Sequence, residues 1–529
     1  MPLVTQHGLF GSDSTNFIRM LPPQAAQHSK KDLALLALAM QSSRDSLGVG
    51  PDAEENMFVP AGFTYFGQFI DHDLTFDTTS TFDGQNPPTS LRTPRFDLDC
   101  VFGKGPIDQP YMYEADHATL KLGMVVDTPT GRRDLLRSPD GIAIIGDPRN
   151  DENSIVSQIQ AAFIRFHNAN VAALAATGLT GADLFASARC HTRWNYQRVI
   201  CEDYLKRIID GAVFNAFEAD RKPDARGRST NAAAFPLYDP RNRDALPIEF
   251  GGAGYRFGHS MVRNGYILRD SEPIPIFDGT GGADSLLGFE PLNPAHVITD
   301  WRRFFVDSAV ESTLTGNTFA PAPGTAAGDN GANKSADDAP GAPRLQWAYR
   351  IDTAIVDPLT RLPALVAMDP PPSLLVRNLW RGAAFQLATG QDFEHRLIAT
   401  GKIKAGLDPK YLVTREELPQ PNAAGEKQYR FVPVEQEMIR ATPLWFYVLA
   451  EAQKRIVDRF HGVIFSESDM KLFASTTGAQ LGPVGGRILL EVFHGLLDSD
   501  PDSYRNHPNA QQWKPQLKHL RMWDIVTTP

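Results

Sequence analysis

The chain has 529 residues, 42% of them hydrophobic, and carries a formal net charge of −10 at pH 7. That balance disfavours nucleic acid or an anionic membrane surface as the principal partner, since both select basic faces, and no run approaches the ~20 consecutive apolar residues of a membrane-spanning helix. The apolar share suffices for a sizeable core, whereas three scattered cysteines, Cys100, Cys190 and Cys201, are too few for a disulfide framework.

In chain order, residues 1–30 lack periodicity and are expected to lie as an arm on a body formed by residues 31–529. They show no succession of basic start, apolar run and small-residue cleavage site, so a cytoplasmic location is the default expectation. Helices are expected over 31–40 and 63–76, followed by a Pro-, Asp- and Gly-rich loop region over 85–115. Residues 141–153 read GIAIIGDPRNDEN, an apolar run and a turn, after which Arg149 and Glu152 are expected to open a helix ending near residue 175. Ile155, Ile159, Ala162, Phe163 and Phe166 fall at helical spacing within it. Another long helix is expected over 183–209. Residues 255–262 read YRFGHSMV, where Gly258 permits close backbone approach just before His259. Residues 320–343 are poor in bulky apolar side chains and should form a mobile surface loop. Residues 374–382 read LLVRNLWRG, with Asn378 and Arg381 one helical turn apart. No internal repeat is visible and strand signals are few, so the expected fold is mainly α, a large single-domain helical structure with few short β-strands.

The most informative residue is His72. Its segment, FTYFGQFIDHDLTF over 63–76, sets an imidazole between Asp71 and Asp73 on an otherwise apolar helix. Gln68 and His72 share one helical face, while Asp73 points roughly 100° away and is available to a different partner. A lone buried histidine is ordinarily a satisfied core residue. This one is accompanied by Arg149, His259 and Asn378 in widely spaced segments.

Taken together and in this order, the segments resemble the animal-type haem peroxidases, the superfamily that includes the cyclooxygenases. The resemblance runs from about residue 30 to about residue 500. Gly67-Gln68-Phe69-Ile70-Asp71-His72-Asp73 is its most specific piece. Gly146-Asp147-Pro148-Arg149 with Glu152 and Arg256-Phe257-Gly258-His259 come next, and the Asn378 segment and residues 481–487 (LGPVGGR) support them. It implies a helical haem peroxidase domain over 31–529 that binds haem b. Low cysteine content departs from the disulfide-rich mammalian members and suggests a reducing compartment or a bacterial-type member.

Peroxide cleavage at a haem needs a base to move a proton between the peroxide oxygens and a cation for the developing charge. By resemblance His72 is the base and Arg149 the cation, a permanently charged guanidinium, with Gln68 lining the cavity. His259 resembles the proximal ligand, with Asn378 orienting its second ring nitrogen, and Arg256 and Arg381 match positions that contact the haem propionates. Asp71 and Glu152 match the two acids that form ester bonds to haem in mammalian members. Asn153 replaces the methionine that forms a third, sulfonium link, so that link should be absent. Chloride oxidation then becomes doubtful, and the expected donors, with hydrogen peroxide as co-substrate, are iodide, bromide, thiocyanate or phenols.

Residues 93–99 read TPRFDLD and place oxygen-bearing groups at alternate positions, all facing one way if the loop is extended. Thr93, the Arg95 carbonyl, Asp97 and Asp99 with Asp73 then form an all-oxygen shell suited to Ca²⁺, and the resembled family has such a site. Three alternatives compete. A fatty-acid dioxygenase or cyclooxygenase would carry a tyrosine three residues before His259, where this chain has Arg256 and Tyr255 is out of step. A non-catalytic haem- or calcium-binding interaction protein would have lost His72 or Arg149. A non-haem iron enzyme would use His72, His259 and an acid. The sequence carries no sign of an oligomeric state.

Overall fold

Aromatic side chains spaced along amphipathic helices dictate most of the architecture. The computed structural model describes residues 15–42, 53–76, 89–90, 92–239, 245–269, 272–277, 285–307, 345–367, 369–474, 479–513 and 520–529. The loop expected at 320–343 lies outside the described residues. The principal helices are α1 (Lys30–Met40), α2 (Gly62–Leu74), α3 (Ser154–Ala175), α4 (Gly181–Val199), α5 (Leu374–Ala384), α6 (Leu444–Ala452) and α7 (Pro483–Ser499). Strands among the described residues are short; the largest sheet has three, Val413–Glu417, Gln428–Pro433 and Phe465–Ser466, all antiparallel.

Helix α2 is the central strut. Phe63, Phe66, Phe69 and Ile70 are buried, and the Phe69 ring stacks on Phe163 of α3 at a centroid distance of 4.6 Å. Phe66 meets Tyr196 of α4 edge-on at 6.1 Å. Burying each such ring is worth roughly 1.5–3 kcal/mol, with about 0.5–1.5 kcal/mol more for aromatic pairing. The helix carrying His72 is therefore held along most of its length. Gly67 marks a close approach: a Cβ there would lie 2.6 Å from the Tyr204 hydroxyl. Tyr204 ends a π-helical turn, Ile200–Tyr204, that divides the helix expected over 183–209 into α4 and a short helix, Leu205–Ile208. Such wide turns re-aim the side chains that follow them.

A second expectation needs correction. Arg149 and Glu152 do not open α3. Pro148–Asp151 form a 3₁₀ turn, started by Pro148 and capped by the Asp147 carboxylate, which accepts the Arg149 N–H. Asn153, in extended conformation, then caps α3 by accepting the N–H groups of Ile155 and Val156. The turn holds Arg149 and Glu152 outside the helix and against the end of α2. The region expected to be loop over 85–115 contains a short helix, Asp99–Phe102, and a 3₁₀ turn, Pro110–Met112.

Candidate active site

A cavity of about 420 Å³, within the usual range for small-molecule and cofactor sites, is bordered by Gln68, Asp71, His72, Arg149, Glu152, Arg256, His259 and Arg381. Eight of the residues singled out in the sequence thus converge on one space.

The His72 ring is buried and its tautomer is set by a chain of amides. His72 Nδ1 lies 2.7 Å from Asn150 Oδ1. Asn150 Nδ2 donates to Gln160 Oε1 at 2.8 Å, and Gln160 Nε2 donates to the Cys100 carbonyl at 3.1 Å. A carbonyl can only accept, so each amide has one workable orientation and Nδ1 must carry the ring proton. Nε2 is left with its lone pair. Burial, with Arg149 nearby, lowers the His72 pKa to about 4, so the ring is neutral near pH 7.

Arg149 is fixed from several sides. Its Nη2 donates to the Thr75 carbonyl, to the His72 carbonyl at 3.2 Å and to Asp147 Oδ2 at 2.7 Å, and its guanidinium lies over the Phe76 ring at 4.6 Å. Asp147 is fully buried and also receives Arg92 Nη2 at 2.6 Å. Burial opposes its charge, but Arg149 and Arg92 hold its carboxyl well below the usual carboxylate range. Gln68 bridges two cavity residues, donating to Glu152 Oε1 at 3.5 Å and accepting from Asn153 Nδ2 at 3.1 Å. Burial raises the Glu152 pKa to about 7 against the pull of Arg149. Asp71 accepts the Thr75 hydroxyl at 3.1 Å.

On the other side, His259 sits in a 3₁₀ stretch, Gly254–Met261. Its Nδ1 faces the side-chain Nδ2 of the buried Asn378 on α5 at 2.7 Å. Arg381 Nη1 reaches the other end of that amide at 3.4 Å, and Arg256 Nε donates to the Gly251 carbonyl at 2.8 Å. Burial, with Arg256 and Arg381 close by, lowers the His259 pKa to about 3, leaving a neutral imidazole of the kind that ligates metals. The donor set fits a haem: a neutral ring to meet iron and two cations for its carboxylates.

Asp73 stands off the cavity, as its helical position requires. Oxygens of Asp73, Asp97 and Asp99 come within 4.8 Å of one another. Thr93 Oγ1 donates to Asp97 Oδ2 at 2.6 Å, while the Arg95 side chain turns toward Asp500. Asp73 Oδ2 and Asp99 Oδ1 are buried without a hydrogen-bond partner among the described residues, a costly arrangement that an added cation would relieve. Arg92 offsets part of that charge, 3.0 Å from Asp99 Oδ2. His72 and His259 belong to no metal-sized cluster of three ligand atoms among the described residues.

Sequence reasoning missed Asn150, Gln160 and Arg92, and named Asp147 without giving it a role. Asp147-Pro148 is a legible capping signal, but Asn150 and Gln160 work through bonds between elements, which no local pattern announces. Tyr255, out of step as a radical tyrosine, nonetheless borders the cavity, its hydroxyl 3.0 Å from that of Tyr204 and 3.2 Å from the Gly67 carbonyl.

Comparison with known proteins bears out the resemblance. Residues 123–285 match the family described as animal haem peroxidase. A stretch of 184 residues, 34% of this chain, is 23% identical to dual oxidase from Drosophila melanogaster and spans 10% of that protein. Another of 134 residues, 25% of this chain, is 24% identical to dual oxidase 1 from Caenorhabditis elegans and spans 8% of it. Among solved structures, the fold is similar to that of peroxidase A from Dictyostelium discoideum, with a TM-score of 0.58 and 13% identity over 97% of this chain and 92% of that one. It is also similar to fatty acid alpha-dioxygenase from Arabidopsis thaliana, with a TM-score of 0.52 and 16% identity over 98% of this chain and 76% of that one. The mainly helical fold with short strands is the one seen in these two solved structures.

Proposed function

We propose that this protein is a haem peroxidase that reduces hydrogen peroxide and oxidises a small donor such as a phenol, iodide, bromide or thiocyanate. One observation carries the reading: a single cavity is bordered by two neutral imidazoles, His72 buried and His259 half-buried, each tied through Nδ1 to an amide, with a fixed guanidinium beside the first. Haem b, when bound, supplies the redox-active iron. His259 would ligate it through Nε2, with Arg256 and Arg381 facing its carboxylates. His72 Nε2 is the base that takes the peroxide proton and returns it to the departing oxygen, and Arg149 steadies the charge on the separating oxygens without having to reorganise. Arg256, standing where cyclooxygenase-type relatives carry their tyrosine, supports this reading over a dioxygenase.

The test is a spectrum and an assay. Full-length protein supplied with haem should show a Soret band and peroxide-dependent oxidation of a phenol or iodide, and His259→Ala should lose both. An unchanged spectrum and rate in that variant would refute the assignment.

Two finer points belong to the same reading. Asp71 and Glu152 border the cavity and are positioned as candidate ester-forming acids; mass spectrometry after turnover should find haem on a peptide containing one of them, and only free haem would count against it. Asp73, Asp97 and Asp99, with Thr93 and the Arg95 carbonyl, are the proposed Ca²⁺ ligands, pinning the far face of α2. Metal analysis of active enzyme should find calcium, and chelation should loosen haem; calcium-free enzyme of full activity would sink the idea.

A further inference from the structure

The segment before α1 is built into the cavity. Phe17 borders it and packs against Gly251, where a Cβ would lie 3.4 Å from the Phe17 ring. Ile18 is stitched into the chain just ahead of His259: its N–H donates to the Leu246 carbonyl at 2.9 Å and its carbonyl accepts from Ile248 N at 2.8 Å. The next N–H groups, of Met20 and Leu21, both end on the carboxylate of Glu249, at 3.0 and 3.3 Å. Glu249 is completely buried. A buried carboxylate is expensive to maintain unless its oxygens are satisfied, and here the segment itself satisfies them.

The same segment also grips α5, the helix of Asn378 and Arg381. Arg19 Nη2 donates to the Phe385 carbonyl at 2.6 Å and Nη1 to the Gln386 carbonyl at 3.3 Å, at the helix C-terminus, where a cation is favoured. Gln24 N–H donates to the Gln386 carbonyl at 3.0 Å. Further on, Gln24 to His28 roof a second cavity of about 50 Å³ that reaches Asn378 and Trp445. It is large enough for ordered water. His28 Nε2 closes that roof on the Ala441 carbonyl at 2.6 Å.

We propose that residues 17–28 are a strap, clamped by Glu249 and Arg19, that determines which donors fit the cavity beside Phe17. This rests on the peroxidase reading for the identity of the donor but not for the existence of the strap. A residue that merely filled core space would not place an aromatic ring on the cavity wall while spending a buried charge on two backbone donors. Phe17 is accordingly assigned as a specificity-determining residue, and Glu249 as a positioning residue acting through the strap.

Two variants and two readouts test it on the full-length holoenzyme. Phe17→Ala opens the wall, so kcat/KM for a bulky bis-phenol should rise about tenfold relative to iodide, the scale on which a hydrophobic pocket discriminates by size. Glu249→Gln keeps the shape but leaves one N–H facing an amide nitrogen; it should shift selectivity the same way, and limited proteolysis should cut within residues 15–28 about tenfold faster, since cleavage follows the population of the open form. Wild-type selectivity in both variants overturns the proposal. So does cleavage spread along the whole Glu249→Gln chain with a lowered Tm, which would mark Glu249 as a general core residue. If the wild type oxidises no donor, the peroxidase reading fails and the donor assignment with it, while the proteolysis result still decides whether the strap is clamped.

Discussion

The two imidazoles of the cavity, one buried and one half-buried, are both neutral and both bonded through Nδ1 to an asparagine, yet the two asparagines present opposite ends to them. On the His72 side the amide chain through Asn150 and Gln160 ends on a backbone carbonyl, which cannot be turned round. On the His259 side Asn378 presents Nδ2 to the ring while its Oδ1 accepts from Arg381, a pure donor, so this amide is turned the other way and is held there by one long bond of 3.4 Å. The difference matches what each ring would be asked to do. A base must offer the same bare nitrogen before any ligand arrives. A ring that ligates a metal has its tautomer chosen by the metal, which leaves the amide to follow.

The comparison breaks first at His72. His72→Ala should slow the peroxide step by about 10²–10⁴-fold, the usual worth of a positioned acid–base group, while haem content stays unchanged; stopped-flow rates equal to wild type would end the base assignment. Acid stability should give the next largest effect, and it separates the cavity from ordinary core. His167, bonded to the Ala118 carbonyl at 2.9 Å and not bordering the cavity, also has its pKa lowered by burial to about 4. The unfolded chain protonates this ring near pH 6.5 and the folded chain only near 4, so its share of stability is complete above 6.5 and declines as pH falls to 4. That share is at most about 3 kcal/mol. Urea titrations of wild type and His167→Gln across this window should converge toward acid pH. Parallel curves would place the acid lability elsewhere.

Smaller changes sharpen the contrast between the two amides. Asn378→Leu should cost about 10–100-fold in haem affinity, whereas Asn378→Asp, which always presents oxygen to His259, should retain haem. Loss in both would mean that Nδ1 accepts rather than donates. Smallest is Asn153→Ala, which removes the cap of α3 and a bond to Gln68. It should lower stability by about 1 kcal/mol, measured as a shift in the urea midpoint at constant slope.

How far all this was legible in the sequence follows from the range of the forces involved. The helix bearing His72 is apolar and buried over most of its length, and its period put Gln68 and His72 on the cavity while turning Asp73 away. Arg149 was found for the right residue type but on the wrong element, because Pro148 and the Asp147 carboxylate favour a 3₁₀ turn where the apolar period alone suggested the helix had begun. The break in the helix expected over 183–209 was hidden for a different reason. A π turn inserts one residue without altering composition, and what holds it here is packing of Tyr204 against α2. Asn150, Gln160 and Glu249 act on partners distant in the chain, and no window of neighbouring residues contains both halves of their bonds.

Gly67 constrains how relatives of this chain can diverge. Every replacement of a glycine adds a Cβ, and at position 67 that atom would come 2.6 Å from the Tyr204 hydroxyl. Relief cannot come from α2 itself, which is fixed by its rings, but it can come from position 204. Losing that hydroxyl would remove the nearest atom and, with it, one of the two partners of the Tyr255 hydroxyl. Positions 67 and 204 should therefore change as a pair or not at all: where an alanine stands at 67, a phenylalanine or smaller residue is expected at 204, and the bond to the segment bearing the second histidine should have been given up in the same lineage.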